Sequence, residues 1–198
     1  GSVSTYGIDN SGGYDNVTIK NCNVIEGNAT TTNKYGIYFD NADNGTISNN
    51  NLTVIGNSWG VYLETSKRNN ITNNKFNGTG FGKGVKLKDN SGYNKIINNT
   101  INTAFDYAGT ETSITIQDSP TGGNIIDGNN LTTGGTAIFV KHSSNNNITN
   151  NIINSSTSSN KFALQSVGNS DYNRFENNNI TQADIAIKLG WITGPMSP

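Results

Sequence analysis

This sequence predicts an all-β fold: a single-stranded, right-handed parallel β-helix (β-solenoid) of about eight rungs, each 22 to 30 residues long. Three observations carry the prediction. A short string of two apolar residues around a pair of asparagines returns seven times, a second short strand returns in step with it, and no segment shows a helical stripe.

The first signal is "RNNITNNKF" at 68–76 and its copies. "GTISNNNL" ends at Leu52, "NKIINNTI" at Ile101, "NNITNNII" at Ile153 and "NRFENNNI" at Ile180; "VTIKNCNV", ending at Val24, and "IIDGNNL", ending at Leu131, are looser. Aligned on Ile19, Ile47, Ile71, Ile96, Ile126, Ile148 and Phe175, they are spaced 28, 24, 25, 30, 22 and 27 residues apart. A period in this range marks a stacked repeat architecture.

The second signal is "YGIYFD" (35–40), "WGVYLE" (59–64), "KGVKLK" (83–88), "TSITIQ" (112–117), "TAIFVK" (136–141) and "DIAIKLG" (184–190). Most copies run from a small residue through apolar, outward and apolar positions, so Ile37 and Phe39 point one way while Tyr38 and Asp40 point the other. Each repeat therefore holds two or three short strands parted by the turn formers Gly, Asn, Asp and Ser. Parallel strands joined by crossovers favour the right hand. Stacked about 4.8 Å apart, eight rungs make a rod of roughly 35–40 Å.

The asparagine pair belongs to the bend. Asparagine tolerates the left-handed backbone that branched residues avoid, and its amide both donates and accepts, so stacked copies can bond one another. The second asparagine of each pair forms the expected ladder: Asn50, Asn74, Asn99, Asn129, Asn151 and Asn178. Cys22 holds the same slot in the first copy and reads as a small buried substitute, not a nucleophile.

Composition agrees with a thin core. Of 198 residues, 32% are hydrophobic and 14% charged, with 37 asparagines and 23 glycines. Disorder is a poor explanation, because the net charge is only −1, prolines number three and the apolar residues are strictly placed. That charge, with no basic run, argues against nucleic-acid or anionic-membrane binding. No apolar stretch approaches membrane-spanning length. The opening "GS" has the form of a cloning remnant. The whole of 1–198 reads as one β-helix domain.

From about Tyr6 to Leu189, the "NNITNN" turns and "GIYF" strands resemble the right-handed parallel β-helix repeats of NosD-type and related carbohydrate-binding and sugar-hydrolase proteins. Such repeats are also found in large surface proteins of methanogenic archaea, including adhesin-like ones. The resemblance implies the fold, a cell-surface or extracellular setting, and that 1–198 is a fragment of a larger surface protein. The matching residues are those that make coils, so the copper association of NosD-type proteins does not carry over.

Chemistry is expected on the outward positions of the second strand. Tyr38, Tyr62, Lys86, Thr115, Phe139 and Lys188 form one exposed column, and Asp40, Glu64, Lys88, Gln117 and Lys141 another. Rings beside carboxylates and amines suit a sugar-binding face, so Tyr38, Tyr62 and Lys86 are the candidate ligand-binding residues. The same face also reads as a solvated sheet whose stacked rings and alternating charges hold neighbouring rungs together.

Catalytic candidates are Asp40 and Glu64 on adjacent rungs, near the separation used by retaining glycosidases, with Lys88 to neutralise a uronate or abstract a proton. No arginine cluster accompanies them. No metal or cofactor is expected, because His142, Cys22 and Met196 are each the sole residue of their kind. "DNADNG" (40–45) has Ala42 and Asn51 where a calcium loop needs ligands, so it reads as a turn between strands. The lengthened intervals "EGNATTTNK" and "AFDYAGTET" are bulges suited to walling a groove. Eleven N-x-[ST] sequons occur, of which Asn28, Asn77 and Asn154 are expected in loops and open to glycosylation on export.

Taken together, the sequence reads as an extracellular structural or adhesin-like module with a glycan-binding role along one strand face. Its partners would be a polysaccharide or cell-surface glycan and neighbouring domains of the same protein. A polysaccharide lyase or glycoside hydrolase of the β-helix class is the alternative.

Overall fold

Residues 5–26, 34–80, 82–103, 112–155 and 162–190 are described by a computed structural model of the chain. Their regular structure is entirely β-strand, wound into three parallel sheets. The large sheet stacks Thr5–Asn10, Lys34–Asp40, Trp59–Glu64, Lys83–Lys88, Thr112–Gln117, Thr136–Lys141, Phe162–Val167 and Ile185–Leu189 in that order. A second sheet of seven short strands runs from Thr18–Lys20 to Arg174–Glu176, and a third of seven from Asn23–Glu26 to Asn179–Thr181. Seven coils carry all three strands and the eighth contributes one, so the stack has slightly fewer complete rungs than the eight expected.

Register follows the repeat. Ile19, Ile47, Ile71, Ile96, Ile126, Ile148 and Phe175 pair level by level through the second sheet. Val24, Leu52, Phe76, Ile101, Leu131, Ile153 and Ile180 do so through the third. With the inward residues of the large sheet, these columns make one continuous core in which Ile37, Phe39, Leu63, Leu87 and Ile116 are fully buried. Each such side chain contributes about 1.5–3 kcal/mol by leaving water.

Two strands of the large sheet escape the sequence pattern. In Phe162–Val167 the second inward position is Ser166, not an aliphatic residue, and Asn173 Nδ2 donates to its hydroxyl at 3.4 Å. Thr5–Asn10 carries its pattern in "YGID" but lies before the first asparagine pair. "EGNATTTNK" and "AFDYAGTET" fall almost wholly outside the described residues.

The bends explain the asparagines. The first member of each pair, at Asn21, Asn49, Asn73, Asn98, Asn150 and Asn177, is left-handed, with φ between 53° and 57°. The second turns inward as a ladder. Asn50 donates to Asn74 Oδ1 through its backbone N–H (2.9 Å) and Nδ2 (3.0 Å), and Nδ2 also reaches the Ile19 carbonyl at 3.0 Å. Asn74, Asn99, Asn129 and Asn151 repeat all three bonds one level on. The Cys22 N–H enters the ladder by donating to Asn50 Oδ1 at 2.9 Å. Cys22 is only half-buried, a correction to the buried substitute expected, because it lies on the first rung with a described neighbour on one side.

A second ladder is hidden in the sequence. Asn69, Asn94, Asn124, Asn146 and Asn173 stack at the bend that leaves the large sheet, each preceded by a left-handed residue. Its signature is a serine three residues before the asparagine, at Ser66, Ser91, Ser143 and Ser170. Ser66, Ser91 and Ser170 accept the backbone N–H of the level before through their hydroxyls. "DNADNG" is this bend on the second level, with Asn41 and Asn44 left-handed and the Gly45 N–H donating to Asn69 Oδ1. Asn77 and Asn154 lie in strands Lys75–Thr79 and Ile152–Ser155, not in the loops expected for them, and Asn28 lies outside the described residues.

Candidate functional site

The outer face of the large sheet is where the repeat relaxes. Its central column reads Asp9, Tyr38, Tyr62, Lys86, Thr115, Phe139, Gln165 and Lys188 in strict register. Tyr38 and Tyr62 do point outward, yet they are only 7% and 6% exposed. The exposed ring platform expected of them is therefore corrected. Their rings are covered by a neighbouring row, Tyr6 and Tyr35, with centroids 4.8 Å apart for Tyr6–Tyr38 and 4.3 Å for Tyr35–Tyr62. Thr115 is likewise buried.

The covering row is the accessible one. Tyr6, Tyr35 and Trp59 are half-buried and occupy one column of the sheet, which Lys83 continues. Each precedes a glycine: Tyr6–Gly7, Tyr35–Gly36, Trp59–Gly60, Lys83–Gly84. Strict alternation would send Tyr35 inward with Ile37, but its ring lies beside the outward Tyr38 ring at 5.3 Å. Only a residue without a side chain fits between: a Cβ on Gly36 would sit 2.6 Å from the Gly60 carbonyl oxygen, and one on Gly84 2.2 Å from that of Ser113. The signal for this row was the aromatic–glycine pair opening three of these strands.

Asp40 and Glu64 are register partners on adjacent strands, as their spacing implied. Tyr38 donates its hydroxyl to Glu64 Oε2 at 2.8 Å, and Lys88 Nζ donates to Glu64 Oε1 at 3.1 Å while pairing with Asp89 at 2.7 Å. Glu64 is thus held by a phenol and an ammonium. Partial burial, and then the Glu64 charge, push Asp40 above its ordinary range, against a lowering contribution from Tyr38. Lys88 is held charged: the Asp89 bond, and after it Glu64, raise its pKa despite desolvation. This is the reverse of what a proton-abstracting amine needs. Burial and then the Glu64 contacts raise the phenols of Tyr38 and Tyr62.

Beside these carboxylates the face dips into a depression of about 320 Å³. Tyr35, Trp59 and Tyr62 form its floor; Asn57 and three lysines, Lys83, Lys86 and Lys88, line the rest. Lys86 Nζ lies 5.6 Å from the Trp59 ring centroid and 5.5 Å from that of Tyr62, and Lys83 Nζ lies 5.4 Å from Trp59. Of the three ligand-binding residues expected from sequence, Tyr62 and Lys86 line this depression and Tyr38 supports it from below, through the ring stack.

Residues 6–180 match the family model described as a right handed beta helix region. The chain belongs to that family. Neither a curated protein nor a solved structure matches it. The family accounts for the coil, and the chemistry must be read from the face.

His142, the sole histidine, stands apart from the depression, with Nδ1 2.8 Å from Asp118 Oδ1. Among the described residues no group of three or more His, Cys, Asp or Glu side chains is placed to hold a metal ion. Among them, too, no helix is long and apolar enough to cross a membrane.

Proposed function

We propose that this chain is an extracellular structural or adhesin-like β-helix module that binds a glycan on the outer face of its large sheet. Its partners are a polysaccharide or cell-surface glycan and neighbouring domains of the same protein. The resemblance of its turns to NosD-type repeats and to methanogen surface proteins supports the setting. The observation that carries the binding role is the depression itself, where half-buried rings and amines share one shallow concavity. Rings cover the apolar faces of sugars and amines bond their hydroxyls.

Trp59→Ala tests the reading on a polysaccharide array. A central aromatic anchor is worth about 2 kcal/mol or more, so binding should fall about 30-fold while the melting curve stays cooperative. Undiminished binding by the variant, or no glycan bound by the wild type, would overturn the proposal.

One observation favours a polysaccharide-active enzyme as a second reading. Asp40 sits beside Glu64 on the adjacent strand, and burial and then the Glu64 charge raise its pKa, which is the direction a general acid needs. New reducing ends or unsaturated products in the same incubations, lost in Asp40→Asn, would establish it.

A further inference from the structure

Charge is unevenly spread along the face. Asp9, Asp40 and Glu64 lie on its first three levels, and Lys83, Lys86 and Lys88 together on the fourth. The lysines are not equally compensated. Lys88 has two carboxylates, Glu64 and Asp89. Lys83 is partnered: it donates to Asn57 Oδ1 at 2.7 Å and lies over Trp59. Lys86 has no hydrogen-bond or ion-pair partner among the described residues; its ammonium rests on the ring faces of Trp59 and Tyr62.

We propose that the depression seats the acidic group of an anionic saccharide between Lys83 and Lys86, with the sugar ring against Trp59. This rests on the glycan-binding reading above and names its ligand class. Two features must be matched at once. The ring faces of Trp59 and Tyr62 offset only part of the cost of holding the Lys86 ammonium without an anionic partner, and a bound anion supplies that charge. Desolvation, and then repulsion from Lys88 and Lys83, lower the Lys86 pKa, consistent with a positive charge awaiting its counter-ion. A free inorganic anion would leave the aromatic floor unused, and a neutral sugar would leave Lys86 uncompensated. A sugar bearing a carboxylate or sulfate ester meets both. The volume, about 320 Å³, lies at the small end of the range for ligand pockets.

Calorimetric titration of the chain with four probes tests this: polygalacturonate, its neutral methyl ester, dextran sulfate and dextran. At least one acidic polymer should bind more than tenfold tighter than its neutral counterpart. Polygalacturonate binding assigns a carboxylate and dextran sulfate binding a sulfate ester. Lys86→Gln should weaken that binding about 10- to 100-fold, the worth of a charged hydrogen bond in a partly desolvated site, and Lys83→Gln should weaken it as well. Lys95→Gln, on the second sheet, should not. Equal binding of acidic and neutral polymers, an unaffected Lys86→Gln, or equal losses in Lys86→Gln and Lys95→Gln would overturn the proposal. If neutral glycans bind through Trp59 without need of the lysines, the glycan-binding reading stands and this one falls. If no glycan binds at all, the broader reading fails first.

Discussion

At the bends of the coil, one asparagine recurs on six consecutive levels, and five of the copies make the same three bonds to the next asparagine and to the preceding rung. On the outer face of the large sheet, the column after Asp9 holds tyrosine for two levels and then passes through Lys86, Thr115, Phe139 and Gln165. The bend is under a stacking constraint that every level must meet, because a buried backbone group left unpaired is costly. The outer face shares only the sheet hydrogen bonds at every level; its side-chain contacts, such as Tyr38 to Glu64 and Lys88 to Glu64, differ from one level to the next. Repetition in this chain marks what holds the coil, and departure from repetition marks where side chains are free to vary.

Breaking the ladder gives the largest expected effect. Asn99→Leu leaves the Asn74 N–H and the Ile71 carbonyl without their amide partners. At about 1–3 kcal/mol for each buried unsatisfied group, the domain should lose about 2–6 kcal/mol. Thermal and denaturant melts read this directly. An unchanged midpoint would mean that the repeated asparagine does no more than the varied face does, and the contrast would collapse.

The small column inside the large sheet gives the next effect. Gly84→Ala places a methyl 2.2 Å from the Ser113 carbonyl oxygen and 2.7 Å from Ile101 Cγ2. Backbone cannot yield as a side-chain tip does, so overpacking of about 1–3 kcal/mol is expected in the same melts. Ala137 and Ala163 hold small positions on later rungs and are fully buried, so the constraint there is size rather than the absence of a side chain. A neutral Gly84→Ala would place this column with the permissive face.

These contrasts explain what could be read in advance. The second and third sheets follow directly from the string repeated from Ile19 to Ile180, since its two apolar residues keep the same separation across the asparagine pair however long the interval between copies. The first asparagine ladder follows for the same reason, and so does the adjacency of Asp40 and Glu64. The second ladder was concealed because its serine and asparagine sit among Lys67, Arg68, Gly92 and Tyr93, which vary freely. Phe162–Val167 was concealed by Ser166 in an apolar slot. The site was harder still. Alternation gave the direction of Tyr38 and Tyr62 correctly, but burial depends on neighbours, and Tyr6 and Tyr35 reach the outer face by breaking alternation at a glycine. A pattern rule reports orientation within a strand; it carries no information on which ring lies over which.

The smallest effect belongs to the face itself, at Asp40. Its folded pKa is raised above the usual value of 3.8, first by desolvation and then by the Glu64 charge. A raised carboxyl favours the folded state fully below its unfolded pKa, and that contribution is lost as pH rises through the folded pKa. At neutral pH the ionised carboxylate therefore weighs against folding. Asp40→Asn should melt slightly above wild type at pH 7, and the gap should close as both are taken below the usual carboxylate range. Glu64→Gln, which removes the neighbouring charge, should shrink the same gap. If Asp40→Asn lowers the midpoint at pH 7, the Tyr38 contribution outweighs burial, and this part of the face helps to hold the coil together just as the bends do.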